Sequence, residues 1–142
     1  MTKLEILSIA VLTGAIAAAL PASAAQTSSV DGWYAPDQAT RGKGSYNANC
    51  AVCHGSSLQG GAGPALSGAS FAAKWRDRPL RDLYTVAHDQ MPLTAPGKLP
   101  PKTSFDILAY LLSFNGFQAS TKAVSASDLD RALTPPQTGK NI

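Results

Sequence analysis

An all-α fold is what this sequence predicts, on three observations. No stretch alternates apolar and polar residues over the several positions that a half-buried strand needs. Apolar residues instead recur three and four apart, as at Leu80, Leu83, Tyr84 and Ala87. Proline pairs and glycine clusters separate these windows, where a chain leaves one helix and turns toward the next.

Residues 1–24 read as a signal peptide. Lys3 gives a short positive start, Ile6 to Leu20 form an apolar run, and Ala22-Ser23-Ala24 supplies a small-residue cleavage pattern behind Pro21. A membrane span needs about 20 apolar residues, more than this run offers. No twin arginine precedes the run and no lipid-accepting cysteine follows it directly. The expected location is the periplasm, with no membrane span in the mature chain. Cleavage removes Met1, Lys3 and Glu5, which leaves one methionine, Met91, and no glutamate. The net charge of +3 is unchanged, because one cation and one anion depart together. That bias is too mild for a nucleic-acid partner. Lys74, Arg76, Arg78 and Arg81 cluster locally, interrupted by Asp77 and Asp82. Such a run is either a solvated face or a steering patch for a partner.

Residues 25–35 look like an unstructured lead. Pro36 suits a first helical position and Asp37 the positive end of the same helix, predicted to run to Asn49. Ala39, Gly42 and Tyr46 share one face of it. A glycine inside a helix costs about 1 kcal/mol relative to alanine, so Gly42 predicts the close approach of a second helix. From Gly55 to Pro64 glycines forbid regular structure, and Leu66 returns to the core. A short helical piece is expected over Ser70–Trp75. Pro79 opens the next helix, which must end near Met91 because Pro92 disfavours helical geometry before it. Proline and glycine keep the following stretch extended up to Pro101. The last strong helix runs to Asn115, with Asn115-Gly116 as its stop and with Tyr110 and Leu111 set to cross Gly42 and Tyr46. Residues 118–142 read as a polar, mobile tail with one possible short helix from Ser127 to Leu133.

Chemistry concentrates in Cys50-Ala51-Val52-Cys53-His54. The pattern C-x-x-C-H is that of covalent haem c attachment: two thiols spaced to add across two vinyl groups, and an imidazole placed under the iron. Three other readings compete. A thioredoxin-type pair expects a βαβ pattern that is missing here. A zinc site would need Cys50, Cys53, His54 and His88 together, although Cys53 and His54 crowd one another. A disulfide between Cys50 and Cys53 would close a very small loop and stabilise little.

An electron carrier gains from iron held on both faces, and a thioether ligand raises the reduction potential. Met91, ahead of a proline-rich loop, is the predicted second ligand; otherwise it would be a core gap-filler. His88, one helical turn earlier, would give a bis-imidazole centre of lower potential, or else is a hydrogen-bonded or surface residue.

Arg41-Gly42-Lys43-Gly44-Ser45-Tyr46 before the pentapeptide, then Gly63-Pro64-Ala65-Leu66, Met91-Pro92 and Asp106-Ile107-Leu108-Ala109-Tyr110-Leu111-Leu112, resembles a class I c-type cytochrome over residues 36–117. The resemblance implies the small cytochrome c fold, with three to five helices around one covalent haem. It also implies that the Pro64 carbonyl accepts a hydrogen bond from the His54 ring nitrogen that is not on iron. Trp75 would hold a propionate through its N–H, or be a core aromatic. Phe71-Ala72-Ala73-Lys74-Trp75, Asp82-Leu83-Tyr84 and Met91-Pro92 are further similar to cytochrome domains serving periplasmic quinoprotein dehydrogenases, which use pyrroloquinoline quinone. Expected partners are therefore redox proteins, such a dehydrogenase and a terminal oxidase among them. Arg78-Pro79 and the polar tail depart from the commoner pattern.

The expectation is thus a mono-haem electron-transfer protein with no catalytic residues. Its docking patch would be Ala51, Val52, Ala62 and Gly63. The rivals are a haem enzyme or gas sensor with an open iron site, and a fixed subunit of a respiratory complex.

Overall fold

The computed structural model of the chain describes residues 32–134. The signal-peptide reading of residues 1–24 and the end of the tail lie outside them. Among the described residues the architecture is helical, with two isolated bridges and no strand. The helices are α1 (Pro36–Asn49), α2 (Ala51–His54), α3 (Gly68–Trp75), α4 (Leu80–Thr85) and α5 (Pro101–Phe114). A π-helical turn, Val86–Gln90, extends α4, and a 3-10 turn, Ala126–Asp128, lies near the end. None of these helices is long and apolar enough to cross a membrane.

The crossing of α1 and α5 forms the frame. A Cβ built at Gly42 would collide with the backbone carbonyl of Asp106, so only glycine lets the two backbones meet this closely. One turn later the fully buried Tyr46 packs its ring 5.3 Å from that of Tyr110. Both helices start on proline, whose missing N–H is not needed there. At the end of α5 the Phe117 N–H donates to the Leu112 carbonyl and the Gly116 N–H to that of Ser113, a Schellman ending with Phe117 buried beside Leu112.

One expectation is refined and two need correction. The helix before Met91 ends at Gln90, as expected, but does not stay α to its end. Past Thr85 its turns widen, and Val86 and Ala87 face a cleft while His88 meets α5. The lead is ordered from its last residues: Trp33 and Tyr34 are buried, and they pair with Gln118 and Ser120 through backbone hydrogen bonds of 2.8 and 2.7 Å.

The first part of the tail is also structure. Val124 and Leu133 are buried, and Gln38 grips both backbone groups of Val124 at 2.8 and 2.9 Å. In place of the proposed helix over 127–133 there is a single 3-10 turn, followed by chain that runs along the start of α4. That course has a cause. Helix α4 has no side-chain cap, so the Leu80 and Arg81 N–H groups would be orphans; they donate instead to the carbonyls of Arg131 and Leu129, at 2.9 and 2.7 Å.

Candidate functional site

The chain breaks from α1 at Cys50 and takes one further turn, α2, which carries Cys53 and His54. The Cys50 carbonyl accepts from the N–H groups of Cys53 and His54, so the turn holds both thiols and the imidazole in one short ring of backbone. The glycine-rich loop then folds back over this turn. The Gly63 N–H donates to the Cys53 carbonyl at 2.8 Å and the Gly60 N–H to that of His54 at 2.8 Å. Gly63 lies so close to the imidazole that an added Cβ would stand 2.7 Å from its Cε1. Leu58, fully buried, pins this loop to the core.

His54 is buried, and its Nδ1 lies 2.8 Å from the Pro64 carbonyl oxygen. A carbonyl can only accept, so Nδ1 carries the proton and the lone pair of Nε2 is left for the cleft. Tyr46 Oη donates to the Gly55 carbonyl at 2.7 Å, tying α1 to the end of the motif. Burial pushes this phenol up to about 12, so it stays protonated as a donor. Burial likewise pushes the Cys50 thiol up to about 11. Among the described residues no three His, Cys, Asp or Glu side chains gather as a metal site, and His88 turns to Ser104. The zinc arrangement is not formed.

Cys50, Cys53, His54 and Met91 all line one cleft of about 360 Å³. Its other walls include Leu66, Leu83, Val86, Ala87, Ile107 and Leu111. A slot with apolar walls, two thiols at one edge and an imidazole and a thioether among its lining groups suits a flat macrocycle bearing a metal. Pro64 and Trp75 line it too. His88 does not; its Nδ1 is 3.0 Å from Ser104 Oγ on α5. A more open groove of about 520 Å³ shares Trp75 but contains no Cys, His or Met.

Residues 37–111 match the family model described as cytochrome c oxidase, cbb3-type, subunit III. The chain belongs to this cytochrome c family. Membership implies haem c and electron transfer for the cytochrome, and the cleft contains the donor types that haem c needs. A chain in the crystal structure of the sulfane dehydrogenase SoxCD from Paracoccus pantotrophus is similar in fold, with a TM-score of 0.56 at 22% identity. The similarity covers 85% of the present chain and 69% of that one. No curated protein matches the sequence.

The rim of the cytochrome's cleft differs in part from the sequence reading. Val52, 90% exposed, lines the cleft with Ala62 and Gly63, whereas Ala51 packs against the core. Leu93, 76% exposed, joins the rim from the opposite loop and had no sequence signal beyond following Met91-Pro92. Of the four clustered cations, Arg78 pairs with Asp82 at 2.8 Å and Arg81 with Asp130 at 2.6 Å. Lys74 and Arg76 have no carboxylate partner among the described residues, and Lys74 lies over the Trp75 ring.

Proposed function

We propose that this cytochrome is a periplasmic carrier of single electrons, with one haem bound through Cys50 and Cys53 and with His54 and Met91 as the two iron ligands. The observation that carries the reading is the convergence of all four side chains on one apolar cleft, with His54 held by Pro64 in the tautomer that frees Nε2. When bound, the haem supplies an iron that cycles between ferric and ferrous.

The chain's own residues supply everything else. Cys50 and Cys53 would hold the haem as thioethers, each S–H adding across one vinyl group with its proton going to the neighbouring carbon, so that attachment would need no leaving group. Pro64 orients the imidazole and raises its basicity by accepting the Nδ1 proton in a hydrogen bond. Leu66, Leu83, Ile107 and Leu111 exclude water, which limits reorganisation when the charge changes. Trp75, which lines the cleft, would hold a propionate through its N–H. Val52, Leu93, Ala62 and Gly63 form the rim against which a partner docks, and Lys74 contributes positive charge beside it.

In this reading the donor is a periplasmic quinoprotein dehydrogenase that uses pyrroloquinoline quinone, and the acceptor is a terminal oxidase. The sequence resemblance supports the donor class. The oxidase in the matched family's description supports the acceptor.

The ferric absorption spectrum tests the ligand set. The weak sulfur-to-iron charge-transfer band is expected in the wild type and is lost in Met91→Ala. Its absence from the wild type, with rapid CO binding by the untreated reduced protein, would point to an open iron site instead. N-terminal sequencing of exported protein should begin at Ala25.

A further inference from the structure

We infer that His88 is a positioning residue for Met91, anchoring the methionine-bearing loop to α5 at its start and closing it at its end. The inference rests on the proposed ligation by Met91 and adds the device that keeps that ligand in place.

The imidazole of His88 is tied on two sides. Its Nδ1 shares a 3.0 Å hydrogen bond with Oγ of Ser104, a fully buried side chain on α5. Its ring stacks on Tyr84 with centroids 5.0 Å apart, and Tyr84 stacks in turn on Phe105 of α5 at 4.7 Å. The backbone of His88 does a separate job, for its carbonyl accepts the Gly97 N–H at 3.0 Å. The loop that carries Met91 therefore leaves α5's side at His88 and returns to the same residue at Gly97. Inside it the Ala95 N–H donates to the Pro92 carbonyl at 2.8 Å, and Met91 is extended and faces the cleft. The π-helical turn is what swings His88 toward Ser104 while leaving Val86 and Ala87 on the cleft side. Asp89, 3.8 Å from Nε2, is the charged group beside the ring.

A neutral thioether binds iron weakly, so the fraction of time Met91 is displaced is set largely by how freely its loop opens. Anchoring the loop at both ends on one histidine lowers that fraction.

The test is displacement of the charge-transfer band by added imidazole in ferric holoprotein, with hydrogen exchange at the Gly97 amide measured in parallel. His88→Ala and the milder Ser104→Ala should each lower the imidazole concentration for half-loss, by about tenfold for the loss of one buried hydrogen bond with its partner left behind. Gly97 exchange should accelerate, and His88→Asn, which restores a polar group near Nδ1, should recover part of the loss. Gln38→Ala, remote from the loop, is the control: it lowers the melting temperature through its lost grip on Val124 but should leave the imidazole midpoint in place. An unchanged midpoint in both His88→Ala and Ser104→Ala would overturn the inference while leaving Met91 as ligand. A shift of equal size in the control would also overturn it, as a general loss of stability. A wild type with no band would instead defeat the ligation itself.

Discussion

Asp106 sits buried on α5 between Lys102 Nζ at 2.8 Å and Arg41 Nε at 3.3 Å. Burial alone would raise its pKa, but the hydrogen bonds and charges of Lys102 and Arg41 outweigh that, and the carboxyl ends below its ordinary 3.8. A folded pKa below the unfolded one adds stability above the unfolded value, and that stability fades as pH falls through the folded value. Asp106→Asn should therefore cost about 1 kcal/mol at neutral pH, since solvent screens the exposed partner heads, and the difference should shrink below about pH 4. Urea unfolding at both pH values measures it. Gly63 makes a second residue-scale prediction. A methyl group there must push the imidazole off its bond to Pro64, leaving a less basic ligand that favours ferric iron less, so Gly63→Ala should raise the reduction potential or lower the haem-to-protein ratio relative to wild type.

Among the elements, α1 and α5 were legible because each carries its own punctuation: a proline at the first helical position, and for α5 Asn115-Gly116 at the end. Gly42 was legible for the same reason, since its intrinsic cost demands a compensating contact. That contact is now seen to be the Asp106 backbone as well as Tyr110. Gly42→Ala should destabilise by about 1–3 kcal/mol through overpacking, read as a lower denaturant midpoint. The residues proposed to hold haem were equally plain, because attachment requires five contiguous residues and the chain offers a single methionine after Met1. What stayed hidden depends on partners distant in sequence. Trp33 and Tyr34 carry no periodicity, and their burial comes from the strip around Gln118 to Ser120. Val124 and Leu133 are isolated apolar residues in a polar stretch, and carbonyls that cap another helix leave no mark on side-chain pattern. The widened turn before Met91 likewise left no mark in the sequence, since the contact it brings about, His88 to Ser104, joins residues more than a dozen positions apart. Leu133→Ala should cost about 2–5 kcal/mol, more than a mobile tail would allow.

At the scale of the whole molecule, the cytochrome places Cys53 and His54 on α2, the Pro64 carbonyl in the loop that follows, and Met91 just past a turn tied to α5 through His88. The rim presents exposed Val52 and Leu93 with Lys74 nearby. Electron exchange with an acidic partner should therefore slow as ionic strength rises past about 0.1 M, where screening reaches about 10 Å, while exchange with a small neutral mediator should not. Stopped-flow rates over a salt series distinguish the two. All of this depends on the macrocycle being bonded to the polypeptide. The most direct measurement is an intact mass after unfolding and extraction with acidified acetone. The predicted result is red protein, heavier than the bare chain by one haem, with that increment lost in the Cys50→Ser/Cys53→Ser double variant. A colourless pellet at the mass of the unmodified chain would contradict it.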